Sequence, residues 1–302
     1  MKTRTTLALA AVLLGIGAAG CSSSGGTTPP GALPRPFGGV THYDEQQRAA
    51  LHDAEEALVT GCMRERGFAY RSQALATGDH RVDANPYGLL DGDQAADDGF
   101  GVISTALNLK QAADPNQDHD ADQAWKAALL GTDAHRVTVD LPDHQQFYYN
   151  SDSCLTQAGD TLYGPDYFRL FNTFQVLGNK VVGGVQADGR YTAAEGRWRD
   201  CMSSAHQSAA HLADPVAEID RRVKQDGGDP AKTHALIGDE LTLAKTSARC
   251  QDQARLAATV EQIQSDVEKT VIGTDQPLLD QLRGLRRQAL TRASHPTPPG
   301  TR

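Results

Sequence analysis

Positive charge is scarce in this chain. Lys and Arg total 29 of 302 residues against 38 Asp and Glu, a net charge of −9, which argues against a nucleic-acid binder and against a protein held on anionic lipid by basic patches. Catalytic signatures are missing as well. Beyond the first 20 residues there is no HExxH, no G-x-S-x-G elbow, no P-loop and no G-x-G-x-x-G, so metalloprotease, α/β-hydrolase and nucleotide-binding readings have no motif to rest on. None of the five cysteines forms a CxxC pair, which speaks against zinc. Nor is any later segment long and apolar enough to span a bilayer. What is there, 39% hydrophobic, 6% aromatic and 22% charged, lies in the globular range and reads as one ordinary domain with tails.

The N-terminus sets the compartment. Lys2 and Arg4 precede an uncharged run from Thr5 that carries Leu7, Leu9, Val12, Leu13, Leu14 and Ile16 and ends in Ala18, Ala19 and Gly20 before Cys21. Residues 1–20 thus have the anatomy of a secretory signal peptide. Small residues ending on a cysteine resemble a bacterial lipobox, which implies a diacylglyceryl, palmitate-bearing Cys21 and an extracytoplasmic protein lipid-anchored to the cell membrane. Ala18 departs from that pattern, since a larger aliphatic residue is usual there; the alternative is a plain secreted protein cut near the same small residues. Loss of residues 1–20 takes the net charge from −9 to −11. Residues 21–40, rich in Ser, Gly, Thr and Pro, read as a flexible linker with an r.m.s. reach of about 25 Å. The domain is expected over 41–293, and residues 294–302 as a disordered tail.

Four cysteines remain for an oxidising compartment: Cys62, Cys154, Cys201 and Cys250. An even number predicts two disulfides, with three pairings open. Local context narrows them. Cys62 and Cys201 are each followed by methionine and preceded six residues earlier by Glu56 and Glu195, whereas Cys154 and Cys250 each open a C-x-x-Q-A signature. Two related halves, about 41–165 and 190–270, account for that order and pair Cys62 with Cys154 and Cys201 with Cys250, unless the shared signatures are coincidence. The bridges span 92 and 49 residues, for which chain entropy gives roughly 4 kcal/mol each.

Helical periodicity dominates the rest. Leu51, Ala54, Leu58 and Cys62 repeat at three and four over 44–66, with Gly67 placed to end the helix. Asp120–Leu130 predicts a second helix. Val137, Val139 and Leu141 alternate before a Pro142-Asp143-His144 turn and Gln145–Tyr149, a β-hairpin. Ser151 is a candidate cap for the Cys154 helix, and Thr192 with Glu195 a capping box for the Trp198–Cys201 helix. Stripes on either side of Gly273, from Leu256 to Val271 and from Leu278 to Ala289, predict a C-terminal antiparallel helical hairpin. The fold class is therefore mostly α: a disulfide-stapled helical domain with a minor β-hairpin.

Candidate sites are few. Asp118, Asp120 and Asp122 begin like an EF-hand loop, but Gln123 stands where glycine is needed and Leu129 where glutamate is needed, so helix-capping solvated loops are the simpler reading. Asp91, Asp93, Asp97, Asp98 and Asp114 read the same way. His206 and His211 are five apart, about 140° round a helix, and share no face. No cofactor is implied. Eight of the 17 aromatics fall between Phe147 and Phe174; they make either a stacking groove for a wall sugar or peptide, or a core where the hairpin lies on the next helix, and the helical spacing of Tyr167, Phe171 and Phe174 favours core.

The lipobox, the paired Cys-Met helices, Trp198 three before Cys201 and the C-x-x-Q-A helices together resemble the uncharacterised secreted lipoproteins of actinobacteria such as streptomycetes, over most of residues 41–270. That resemblance implies architecture and no chemistry. His206 stands where the first half has Gly67, so the halves need not end their helices alike. The resulting expectation is a non-enzymatic cell-envelope lipoprotein with a binding or accessory role at the outer face of the cytoplasmic membrane, its partners an envelope protein or a cell-wall component. A secreted hydrolase with a metal-assisted site near the acidic loops or aromatic cluster is the alternative, and a structural spacer a third reading.

Overall fold

The computed structural model describes residues 32–295. Twelve α-helices and one hairpin make up their regular structure, apart from short 3-10 turns. The chain first lays α1 (Glu45–Glu65), capped by the Asp44 carboxylate on the Gln47 N–H. Three short helices follow, α2 (Gly92–Asp97), α3 (Val102–Asn108) and α4 (Gln123–Leu130). The hairpin pairs β1 (Arg136–Asp140) with β2 (Gln146–Asn150), Val137 opposite Tyr149 and Val139 opposite Phe147, through the Pro142–His144 turn that the sequence predicts. After it come α5 (Cys154–Tyr163), α6 (Tyr167–Ala187), α7 (Gly189–Ser204), α8 (Asp214–Gln225), α9 (Pro230–Ala235), α10 (Ile237–Ala254), α11 (Leu256–Ile272) and α12 (Gln276–Ser294).

The long helix α6 is the axis of the main core. It buries Leu170, Phe174, Leu177 and Val181 against Leu256, Val260 and Ile263 of α11 and Leu282 of α12. The two C-terminal helices are joined by the turn at Gly273, but each seats its apolar stripe on other helices: α11 on α6 and α7, α12 on α1, α5 and α6. A smaller core joins Phe100 and Ile103 to Ile219 and Ala244. A third surrounds the first staple, with Val59, Met63, Trp125 and Cys154.

The two staples sit in matching frames. Disulfides join Cys62 to Cys154 across α1 and α5, and Cys201 to Cys250 across α7 and α10, each with Cα atoms 5.6 Å apart. Met63 and Met202, the residues after the first cysteine of each bridge, are fully buried, as are Cys154 and Cys250. Gln157 and Gln253 bring their side-chain oxygens to 3.4 and 3.2 Å from the sulfurs of Cys62 and Cys201. Glu56 accepts the backbone N–H of Gln73 and Glu195 that of Leu212, in both cases eleven residues past the cysteine. Both helices also end alike, because Phe68 and Gln207 donate back to the carbonyls of Met63 and Met202. That closure needs a left-handed residue, supplied by Gly67 at φ +83° and by His206 at φ +60°. His206 therefore adopts the conformation for which the first half uses glycine, so the different residues do not produce different helix ends.

Several boundaries differ from the sequence reading. Residues 32–40, expected within the free linker, belong to the domain: Pro34, Phe37 and Val40 are buried, and Phe37 meets Phe174 edge to face at 5.3 Å. Backbone bonds fix this segment, with Phe37 N–H donating to Glu268, Gln264 to the Arg35 carbonyl and Arg286 to the Gly39 carbonyl. Two isolated apolar side chains among prolines and glycines are too few to show a period, yet burying Phe37 and Val40 contributes roughly 2 kcal/mol each. Helix α4 starts at Gln123 because Asp122 caps it. Ser153 caps α5 in place of Ser151. Asp188 caps α7, which leaves Thr192 and Glu195 inside the helix and frees Glu195 to reach Leu212.

Candidate functional site

Helices α1 and α5 run antiparallel, since Cys62 is bonded to the first residue of α5 while Glu55 accepts a hydrogen bond from Tyr163 at its last. Ala54, Leu58, Gly61 and Glu65 recur at three and four along α1 and so share one face. The small residues among the α1 lining, Ala54, Ala57 and Gly61, leave space beside α5. A trough of about 410 Å³ results, floored by Ala54, Leu58 and Gly61 on one side and by Ala158 and Leu162 on the other. Its length from Ala54 to Glu65 is about 16 Å at the helical rise. Such a volume lies within the range of sites that take a small molecule or a short peptide segment.

Polar groups occupy the rim and the ends. Arg292 of α12 and His295 just past its end also line the trough, and Arg292 donates to the Leu162 carbonyl near the Ala54 end. Glu65 stands at the other end, exposed and without an ion pair among the described residues. Gln157 and Thr161 line the α5 side, and the partly exposed Cys62 sulfur forms part of the wall.

Beside the trough lies a tyrosine cluster. Tyr163 stacks on Tyr167 at 4.5 Å, Tyr167 and Tyr43 share a hydrogen bond of 2.7 Å, and the Arg286 guanidinium lies 4.4 Å over the Tyr43 ring. Burial raises the phenols of Tyr43, Tyr163 and Tyr167 above their ordinary range, so they remain neutral hydrogen-bond donors. Burial also raises the Glu55 carboxyl, opposed by the Tyr163 hydroxyl.

The predicted aromatic concentration thus divides. Tyr163, Tyr167 and Phe174 are core residues, with Phe168 and Phe171 packed against them. Phe147 and Tyr149 are half-buried on one face of the hairpin, whose tip is tied to α6 by Asp143 and Lys180 at 2.6 Å. Tyr148 points outward, 62% exposed, under the Arg136 guanidinium.

The acidic candidates are employed singly. Asp118 forms a two-pronged pair with Arg71 at 2.8 and 2.9 Å, which holds its carboxyl down to about 2. Asp122 caps α4, Asp91 caps α2, and Asp98 lies 2.9 Å from His80. Asp120 is exposed and joins none of them. Among the described residues no group of three or more His, Cys, Asp or Glu could hold a metal ion. Nor is any described helix long and apolar enough to cross a membrane. Cys21 and the tail from residue 296 lie outside the described residues.

Sequence reasoning missed two features. One is the trough, whose only local signal is the run of small residues Ala54, Ala57 and Gly61 on a helix face. The other is Glu240, 2% exposed, whose carboxylate accepts the backbone N–H groups of Phe100, Val102 and Ile103 and so caps α3 from α10. The chain matches no protein-family model, no curated protein and no solved structure.

Proposed function

We propose that the protein is a non-enzymatic cell-envelope lipoprotein, anchored through Cys21 at the outer face of the cytoplasmic membrane, with the α1–α5 trough as its binding face. The trough carries this reading: an elongated apolar floor with Glu65 at one end, Arg292 towards the other and His295 in its lining suits an extended segment of an envelope protein or a wall peptide better than it suits a reaction. The acidic loop favours a hydrolase less, because Asp118 is spent on Arg71 and Asp122 on a helix cap. Chain length supports a membrane-proximal role. From Cys21 to Leu33, the first residue packed on the main core, there are twelve steps, at most about 43 Å when fully extended, so an anchored domain stays close to the bilayer. The first α1 residue of the trough, Ala54, lies nine residues, or about 14 Å, beyond the start of that helix at Glu45.

Two measurements in intact cells test this. Labelling with a fatty-acid analogue should mark the wild-type chain and be lost in Cys21→Ala. A photo-crosslinker placed at Ala57 should capture one envelope component in near-stoichiometric amount, while the same group at Tyr148 should not. Equal labelling of both cysteine forms overturns the anchor; equal or absent capture at the two positions overturns the binding face.

A further inference from the structure

We infer that the Cys62–Cys154 bridge is a thiol-exchange site: a thiolate lodged in the trough attacks the Cys62 sulfur, and Cys154 leaves as a thiolate at the start of α5. This rests on the trough being the binding face and adds the chemistry of what docks there. The Cys201–Cys250 bridge, built on the same frame, stays closed.

Most features are common to the two bridges and so do not separate them. Each joins a partly exposed cysteine, Cys62 or Cys201, to a wholly buried one, Cys154 or Cys250. Each partly exposed sulfur lies against a glutamine, Gln157 or Gln253. Cys62 and Cys201 both sit three residues before the end of their helices, α1 and α7.

The buried partners differ. Cys154 is the first residue of α5, directly after the Ser153 cap, whereas Cys250 lies four residues from the end of α10. The N–H groups of a helix's first turn and the positive end of its dipole stabilise a thiolate, and the last turn does the opposite. Arg66 adds a cation nearby, since it donates to the carbonyl of Ala128, which packs in the cluster around Cys154. The nearest carboxylate in sequence, Asp152, is engaged by Thr132 and His135. A more acidic thiol leaves faster, and here the buried sulfur is the better leaving group while the accessible one takes the attack.

Access differs as well. The Cys62 sulfur forms part of the trough wall beside Gly61, where a Cβ would stand in open space. In the second unit the residue four before the cysteine is Arg197 in place of Leu58, and its guanidinium crosses from α7 to the Ala254 carbonyl of α10. A side chain thus spans the two helices where the first unit leaves a trough.

The exchange balances without an outside oxidant. The S–S bond breaks with its electron pair on Cys154 while a new bond joins the incoming sulfur to Cys62; return attack by Cys154 expels the incoming thiolate and restores the bridge. Other contacts keep α1 on α5 in the open state, because Val59, Met63 and Ala158 share one cluster and Tyr163 donates to Glu55.

The test uses the full chain with Cys21→Ser, so that every remaining cysteine belongs to a bridge. It is exposed separately to 2-mercaptoethanol and to the peptide Ala-Ala-Cys-Ala-Ala, quenched with an alkylating agent and mapped by peptide mass spectrometry. Each thiol should open Cys62–Cys154 about five-fold or more faster than Cys201–Cys250, with its adduct on Cys62 and the alkyl group on Cys154. At matched thiolate concentration, a faster peptide identifies a polypeptide cysteine as the partner, and a peptide no faster than 2-mercaptoethanol identifies a small thiol. Gly61→Leu, which places a side chain in the trough, should slow opening of the first bridge about three-fold or more and leave the second unchanged. Equal opening of the two bridges, adducts on Cys154, or a Gly61→Leu chain that opens at the wild-type rate overturns the inference while leaving the Ala57 capture result standing on its own.

Discussion

Glu240→Ala should destabilise the protein by about 3 kcal/mol, and the reason lies 140 residues away in sequence. The Glu240 carboxylate accepts three backbone donors at 3.1, 2.9 and 3.1 Å, from Phe100, Val102 and Ile103. Orphaning a buried donor costs about 1–3 kcal/mol, and three of them at the low end give the figure, after some relief from removing a buried charge. For a domain of this size that lowers Tm by about 6–12 °C. Glu240→Gln retains one carbonyl oxygen for two of the donors and should cost about 1 kcal/mol. Burial raises the Glu240 carboxyl above its ordinary 4.5, opposed by the three backbone donors. The folded chain therefore takes up this proton before the unfolded chain does as pH falls. Wild type should gain stability relative to Glu240→Gln as pH drops towards 4.5, and lose that gain as pH rises through the raised value. Denaturant unfolding across pH, with hydrogen exchange at the three amides, measures all of this. A cost below about 1 kcal/mol for the alanine variant, with those amides still protected, would refute the reasoning.

Other outcomes follow from the same structure. Replacing both members of a staple by serine should cost about 4.5 kcal/mol for Cys62–Cys154 and about 4 kcal/mol for Cys201–Cys250, read by calorimetry. The matching helix ends should respond with opposite signs: Gly67→Ala should lose about 1 kcal/mol, while His206→Gly should gain about 0.5–1 kcal/mol, because glycine adopts a left-handed φ without strain. The Ser247 hydroxyl is buried without a hydrogen-bond partner, so Ser247→Ala should be neutral or stabilising by about 1 kcal/mol, measured by urea midpoint.

Features legible in the sequence are those whose cause is local. Helix α1 and the hairpin with its turn follow from period, turn residues and a cap within a few positions. The staples were legible because each cysteine carries its own neighbours, Met63 and Met202 filling core behind Cys62 and Cys201, and Gln157 and Gln253, which follow the partner cysteines, touching those same two sulfurs. Features made by distant parts were not. Phe37 looks like linker until Phe174, 137 residues on, offers it a ring edge. Thr192 and Glu195 spell a capping box, but Asp188 starts the helix earlier and Glu195 serves Leu212 instead. The trough exists because α12 lies beside the α1–α5 pair and stops part way along it, which no window on α1 alone could reveal.

The chain holds two tryptophans, and one lies beside each staple. Trp125 lies in the cluster around Cys154, its indole N–H on the Ala69 carbonyl and its ring between His119 and Tyr70. Trp198 is wholly enclosed one helical turn before Cys201. Each staple therefore has its own native fluorophore. Emission from Trp125→Phe reports the surroundings of Cys201–Cys250, and emission from Trp198→Phe those of Cys62–Cys154. Whether the two regions melt together or in sequence can be followed by intrinsic fluorescence, without attaching a dye to either.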